Sequence, residues 1–394
     1  VLDLIGAVNG DDKISVLRGT GKTATLTEPS DTSASPIAIE LFDFNGDGNL
    51  DIVTADGGIT GEGDLVSVQF GNGDGSFQAA LTLPAGERVV DVTVGDSDGD
   101  GNGDIVTAGL GANTVGDGTF GIPGLSTGDG TFAAPFTVTN NRNTQSSALI
   151  DLDDDGNLDL IMGESGSNLS VSLGVGDGTF GASVDYDAIA TMFDIASGDY
   201  NGDGNLDIAV IGNTPDELAI LLGNGDGTLK TAATYVAFDN PTSVEARDYD
   251  GDGILDLSVG FQASSDIGIY LGNGDGSFSF AGTYDTIQAT YEHTAIDYDE
   301  DGDLDLIAAA DNQVVILENN GDGTFGVTLT MGNTPGAETY QTIAVGDFNE
   351  DGNLDIISSD VNGDALAVFL GNGDGSFSGR VTYQQLSAAD SDRT

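Results

Sequence analysis

The sequence predicts an all-β chain, a β-propeller of four-stranded antiparallel blades. Three observations lead there: a nine-residue acidic loop recurs seven times, a Gly-Asp-Gly turn keeps step with it, and helical periodicity is absent.

The acidic loops are DFNGDGNLD from Asp43, DSDGDGNGD from Asp96, DLDDDGNLD from Asp151, DYNGDGNLD from Asp199, DYDGDGILD from Asp248, DYDEDGDLD from Asp297 and DFNEDGNLD from Asp347. Their starts lie 53, 55, 48, 49, 49 and 50 residues apart. A period in that range belongs to propeller blades, whereas parallel β-helix repeats are much shorter. The second element, seen in FGNGDGSF from Phe70 and LGNGDGSF from Leu370, places Asn-Gly and Asp-Gly pairs between apolar runs. Glycine permits the positive φ of tight hairpin turns, so each copy should close a hairpin. One period then reads as a strand such as SPIAIELF, the acidic loop, LDIVTA, LVSVQF, the turn, and AALTLP. With 61 glycines, helices are disfavoured throughout.

Each acidic loop reads as a calcium site. Calcium takes six to eight oxygens, and alternate residues of a tight loop point inward when glycine permits the bend. The first loop offers Asp43, Asn45 and Asp47 as side-chain ligands, Asn49 as a backbone carbonyl donor and Asp51 as a bidentate closing ligand. Gly48 makes its bend. The same positions hold Asp96, Asp98, Asp100, Asn102 and Asp104 in the second loop, and Asp151, Asp153, Asp155, Asn157 and Asp159 in the third. In the fourth they are Asp199, Asn201, Asp203, Asn205 and Asp207; in the fifth, Asp248, Asp250, Asp252, Ile254 and Asp256. The sixth has Asp297, Asp299, Asp301, Asp303 and Asp305, with Glu300 besides, and the seventh Asp347, Asn349, Asp351, Asn353 and Asp355. The closing acid falls at position nine rather than twelve, and no helices flank it, so this is not an EF-hand. About seven calcium ions are expected, the sixth loop among the tightest. Gly103 replaces the usual apolar residue at position eight, which makes packing at the second loop the most doubtful.

The paired DxNxDGxxD loop and FGNGDGTF-like turn resemble FG-GAP (VCBS) repeats, the repeats of the integrin α-subunit type of β-propeller. The resemblance covers essentially the whole chain. It implies a secreted, extracellular or cell-surface setting, calcium in loops between the first two strands of each blade, and a role in adhesion or ligand binding.

Charge points the same way. Nine Lys and Arg against 66 Asp and Glu give a formal charge of −57, which excludes nucleic acid and anionic membrane as electrostatically favoured partners. Seven bound calcium ions would leave −43, the −57 of the chain plus 14. A hydrophobic content of 38% separates the chain from disordered acidic tails. Cysteine is absent, so disulfides contribute nothing. No apolar run reaches the roughly 18 residues of a membrane span, and the start VLDLIGAVNG lacks the features of a signal peptide.

The whole chain, 1–394, reads as one propeller: seven repeats over 31–394, and a partial blade over 1–30 that lacks its first strand and acidic loop. A period near 50 in 394 residues predicts eight blades; the alternative is seven plus an N-terminal segment. Asp390 and Asp392 have the spacing of a loop start, as though the pattern ran on to Asp3. Completion of the N-terminal blade by a neighbouring molecule would make a homo-oligomer or polymer. VGDGTFGIPG, residues 115–124, reads as an insertion in blade two, and Asn168 opens an Asn-Leu-Ser sequon.

No nucleophile motif, zinc cluster or phosphate loop is present, so a non-enzymatic role is expected, with a protein or glycan ligand at a surface. A lectin is the alternative, weakened by the absence of Trp. A calcium-dependent polysaccharide lyase is a further one. Its polyanionic substrate is poorly served by a single His293 and by Arg18, Arg88, Arg142, Arg247, Arg380 and Arg393 scattered along the chain. His293, in YEHTAIDYD, is expected to be a packing residue of a strand.

Overall fold

The structure is a computed structural model. It describes the chain except residues 1–2, 9–12, 20–23, 27–29, 32–35, 57–64, 74–76, 86–88, 110–118, 134–135, 140–143, 165, 167, 214, 238, 312, 333–339, 348–350, 361–364 and 385–394. Asn349, Asp390 and Asp392 therefore lie outside the described residues.

The described strands form eight four-stranded antiparallel sheets, and the fold is a β-propeller of four-stranded blades, with no helix among the described residues. Repeat one contributes Pro36–Phe42, Asp51–Asp56, Leu65–Gln69 and Leu81–Pro84, each paired to the next in sequence. Repeats three to seven follow the same order. In the N-terminal sheet, Lys13–Gly19 pairs with Asp3–Val8 on one side; on the other it pairs with Ala24–Leu26 and with Ser30–Asp31. The first strands of consecutive repeats pack side by side from Pro36–Phe42 to Tyr340–Gly346, and Asp3–Val8 packs beside Pro36–Phe42.

This stacking explains the strand patterns. The second strand of a blade is covered on both faces, so Asp51–Asp56 and Asp305–Ala310 are buried at every residue. The fourth strand is the outer edge: Leu81–Pro84 and Ala233–Val236 are largely exposed. Apolar clusters accordingly straddle neighbouring repeats. One joins Tyr200, Ile211 and Leu218 of repeat four to Leu257, Val259 and Phe261 of repeat five. Each blade completes its core only against the next.

Two sequence expectations about repeat two change. Of the expected insertion over 115–124, residues 115–118 lie outside the described residues and Thr119–Gly124 is the third strand of the blade, paired with Asp104–Gly109 and with Phe136–Thr139. A register shift between Ile105 and Thr107 accommodates it. Gly103, in turn, is no packing defect. A Cβ on Gly103 would lie 2.6 Å from the Phe42 ring of repeat one. Elsewhere the sizes are reversed: Leu158 fills the space over Gly95, and Leu255 that over Gly198. The large and small partners have exchanged sides of the blade interface.

Candidate metal centre

The seven acidic loops join the first and second strands of their blades, and hydrogen bonds of their own shape them. Asp43 accepts from the backbone N–H groups of Asp47 and Gly48 at 3.2 and 2.8 Å, and Asp297 from those of Asp301 and Gly302 at 3.0 and 3.1 Å. Position five receives the N–H of position seven, as Asp47 does from Asn49 at 2.8 Å. The glycine at position six is demanded by conformation rather than by space. Gly48 has φ +85° with nothing within 4 Å of where a Cβ would stand, a region that other residues enter at a cost.

The closing aspartate is the most constrained member. Asp51, Asp104, Asp159, Asp207, Asp256, Asp305 and Asp355 are at most 1% exposed. In loops one to six, Oδ2 accepts the N–H of position two, at 2.9 Å from Phe44 and 2.8 Å from Tyr249. Oδ1 accepts a backbone N–H at the start of the Gly-Asp-Gly turn in the same blade, from Gly71 at 2.8 Å and Gly272 at 2.7 Å, and likewise in all seven repeats. The two recurring elements of the repeat are thus tied together through one carboxylate.

Positions one, three and nine converge in four loops. Asp96, Asp98 and Asp104; Asp151, Asp153 and Asp159; Asp248, Asp250 and Asp256; and Asp297, Asp299 and Asp305 each offer oxygens within 4.8 Å of one another. The position-five acids Asp100, Asp155, Asp252 and Asp301 stand outside these groups. The position-seven side chain faces away from the bend, toward its own blade's turn: a Cβ on Gly73 would lie 2.3 Å from Asn49 Oδ1. Ile254 does the same against Gly274, leaving only the backbone carbonyl of position seven as a donor.

About seven ions are expected from the sequence; among the described residues the three-carboxylate centres number four. Loops one, four and seven have Asn at position three. In loop four, Asn201 donates its amide to Asp207 Oδ2 at 3.2 Å, so the closing carboxylate has a neutral partner already. The Asn205 backbone amide, with a smaller contribution from the charge of Lys230, holds Asp203 below the ordinary carboxylate range.

Burial raises the closing Asp207 of loop four all the same, and in loop two the Asn102 backbone amide holds Asp100 down as Asn205 does Asp203. Burial, with neighbouring carboxylates adding to it, raises the pKa of Asp98, Asp104, Asp153 and Asp159, and pushes Asp256 and Asp305 up to about 6. Asp153 Oδ1 is buried without any hydrogen-bond partner. An orphaned carboxylate oxygen beside two further carboxylates fits a cation, and an all-oxygen donor set selects a hard one such as calcium or magnesium.

The remaining chemistry-bearing residues are accounted for otherwise. His293 is 6% exposed, and its Nδ1 and Nε2 each lie 2.7 Å from a serine hydroxyl, of Ser243 and Ser258. Burial pushes it down to about 4, leaving it neutral in a packed interface. Sequence reasoning missed a second group of acids on the first strands, along the propeller axis. Asp91 accepts the Ser147 N–H at 2.9 Å, Asp194 that of Val244 at 2.9 Å, Glu245 that of Ala295 at 2.8 Å and Glu292 that of Ile343 at 3.0 Å. Each bond crosses to the following repeat. The only signal in the sequence is a single acid amid a strand, as in MFDIASG.

Comparison with known proteins agrees with the fold. A family model for the FG-GAP-like repeat matches residues 43–107, 151–210, 199–259 and 297–358. No curated protein matches the chain. Among solved structures, an Agrocybe aegerita lectin described as recognising non-reducing terminal N-acetylglucosamine is 21% identical. That match covers 91% of this chain and 92% of the lectin, with a TM-score of 0.54. The dihydro-heme d1 dehydrogenase NirN is 11% identical over 98% of this chain and 73% of its own, at TM-score 0.67. A periplasmic gluconolactonase of Pseudomonas aeruginosa is 13% identical over 83% of this chain and 95% of its own, at TM-score 0.57. A lectin and two enzymes at such distances share the architecture alone.

Proposed function

The chain belongs to the FG-GAP-like repeat family, and we propose that it is a non-enzymatic, calcium-binding extracellular propeller, used for adhesion or as a building block of a surface assembly. Its ligand is a protein or a glycan, and the acidic loops stabilise the blades rather than perform chemistry. The observation that carries this reading is the convergence of three carboxylates in each of four loops, one with an oxygen that nothing else satisfies. The eight sheets support a ring of eight blades.

A lectin is the second reading, favoured by the likeness to the Agrocybe aegerita lectin along nearly its full length. A lyase or other acid-base enzyme is opposed by the state of the single histidine, whose two ring nitrogens are both engaged in a buried interface.

Extracellular calcium modules bind at about 10⁻⁴ to 10⁻³ M, and a site at tenfold excess over Kd adds roughly 1.4 kcal/mol. Four such sites would contribute about 6 kcal/mol, comparable to the whole stability of a small domain. Calorimetry with calcium and with a chelator at neutral pH is expected to show a large drop in melting temperature on chelation. Equilibrium dialysis is expected to find four tighter ions and a weaker remainder. An unchanged melt after complete removal of calcium sinks the reading, and electron microscopy of the same samples reads the number of blades and any polymer.

A further inference from the structure

Resting on the calcium reading above, we propose that the loops are wired in series: occupancy of one loop raises the affinity of the next through the peptide group of its second residue. The N–H of that residue binds the closing aspartate of its own loop, and its carbonyl accepts a hydrogen bond from the turn of the following blade.

The bonds can be followed from loop to loop. The Phe44 N–H is held by Asp51, while its carbonyl accepts from Gly130 N–H at 3.3 Å and Ser126 Oγ at 3.3 Å, both in repeat two. Ser126 N–H is in turn held by Asp104 of loop two at 2.8 Å. Asp104 also holds the Ser97 N–H, and the Ser97 carbonyl accepts from Gly178 of repeat three at 3.1 Å. A second series begins at loop four. The Tyr200 carbonyl accepts from Gly276 of repeat five at 3.1 Å, and Gly272 of that same turn is held by Asp256. The Tyr249 carbonyl of loop five then accepts from Asn319 Nδ2 of repeat six at 2.8 Å, and Asn319 N–H is held by Asp305 of loop six at 2.8 Å.

Each closing aspartate therefore fixes its own turn, and that turn braces the loop before it. A cation that gathers positions one, three and nine of loop six holds Asp305, and through Asn319 it holds the peptide of loop five between ligands Asp248 and Asp250. By reciprocity, loop five loads loop six to the same degree. Between repeats three and four the connection differs. Among the described residues no turn donor reaches the Leu152 carbonyl. The loops should thus load as two coupled groups, one to three and four to six.

Asn319 suits the test because its side chain, rather than the backbone, forms the link; the side chain also donates to the Leu304 carbonyl at 3.0 Å and accepts the Gly321 N–H at 3.1 Å, so loop six is followed beside loop five. Asn319→Gly installs the residue found at the equivalent place in repeats one, three, four, five and seven (Gly71, Gly174, Gly223, Gly272 and Gly371), and it keeps the N–H that Asp305 accepts. Calcium is titrated into the full chain, following by NMR the amides of Gly253 and Gly302, which mark loops five and six. In the wild type these should titrate together and steeply. In Asn319→Gly, loop five should weaken about fivefold, the worth of one such hydrogen bond, although none of its ligands is touched. Loop two, followed at Gly101, should not move. Asn319→Ser, which restores a donor as Ser126 does in repeat two, should recover most of the loss and shows that the site tolerates change. Independent titration of Gly253 and Gly302 in the wild type overturns the coupling while leaving calcium binding intact, as does an unaltered loop five in Asn319→Gly. Absence of any calcium-dependent shift at these glycines overturns the calcium reading itself.

Discussion

Acidic side chains occupy two regions of this molecule under opposite terms. On the loop face, Asp151, Asp153 and Asp159 crowd together with one oxygen left unsatisfied. Along the axis, Asp91, Asp194, Glu245 and Glu292 stand one to a blade, each bonded to a backbone N–H of the following blade. Asp153 and Asp159 on the loop face and all four axial acids are pushed toward the protonated form, chiefly by burial. The remedy differs. A cation can be coordinated by three converging carboxylates, whereas the axial acids already serve as caps for first strands whose inner edge has no sheet partner. Net charge alone does not separate the two populations; the geometry of their acceptors does.

The largest effect that tests this contrast is expected at Glu292. Burial first, then the charges of Asp194 and Glu245, push Glu292 up to about 7 from the ordinary 4.5. Glu245 lies on the adjacent first strand and Asp194 on the one before that; Asp194 is itself pushed up to about 6, and Glu245 is paired with Arg247 at 2.7 Å. A carboxyl raised in the folded state favours folding while protonated. Its contribution is intact below about pH 4.5 and is lost as the pH rises through 7. Glu292→Gln keeps an oxygen for the Ile343 N–H and removes the ionisation. It should stabilise the protein by on the order of 2–3 kcal/mol at pH 7.5 and by almost nothing at pH 4.5, with or without calcium. Urea titrations at the two pH values check this. Equal effects at both would show that the axial acids are not strained by charge, and the contrast with the loops would fall.

A smaller effect sharpens the distinction within the loop face. Loop four has Asn201 where loop five has Asp250, and the amide already satisfies Asp207. Asn201→Asp should convert loop four into a three-carboxylate centre. Without calcium it should lose about 1 kcal/mol to carboxylate repulsion; with calcium, its site should tighten several-fold. Asp250→Asn should do the reverse in loop five. Paired melts with chelator and with calcium report both signs. If the two substitutions move stability in the same direction in both conditions, position three does not set the demand for a cation.

Much of this was legible because the physics repeats with the sequence. The glycine at position six, the closing aspartate and the Gly-Asp-Gly turn recur every 50 residues or so, and local backbone demands explain each of them. What could not be read depends on contacts between repeats. Glu292 meets Ile343 across 51 residues and Asp91 meets Ser147 across 56, so nothing nearby marks these acids as caps. Gly103 reads as a fault until Phe42 is seen in its place. Thr119–Gly124 reads as an insertion because its glycines and proline do not announce a third strand, yet both neighbours pair with it. The loop pattern leads to about seven ions of differing strength, while three carboxylates converge in four loops among the described residues. The loop pattern fixes the bend, but whether a cation is needed turns on which partner each carboxylate finds.

The smallest effect lies at position two, the residue whose peptide faces both the closing aspartate and the next blade. Tyr249 and Tyr200 are both fully enclosed, yet their hydroxyls fare differently. The Tyr249 hydroxyl lies 2.7 Å from Ser258 Oγ, which lies 2.7 Å from His293, so the polar group is carried into a satisfied network. In repeat four the residue corresponding to Ser258 is Ala209, and the Tyr200 hydroxyl has no partner. Tyr249→Phe should therefore cost about 1 kcal/mol by removing one bond from the Ser258–His293 network, while Tyr200→Phe should be neutral or stabilising by up to about 1 kcal/mol. Ala209→Ser should supply the missing partner and reverse the sign of Tyr200→Phe in its background. Denaturant melts of this double-mutant cycle in saturating calcium keep the loops constant. A loss on Tyr200→Phe in the wild-type background would mean that its hydroxyl does find a partner, and that the two blade interfaces differ less than their hydrogen bonds indicate.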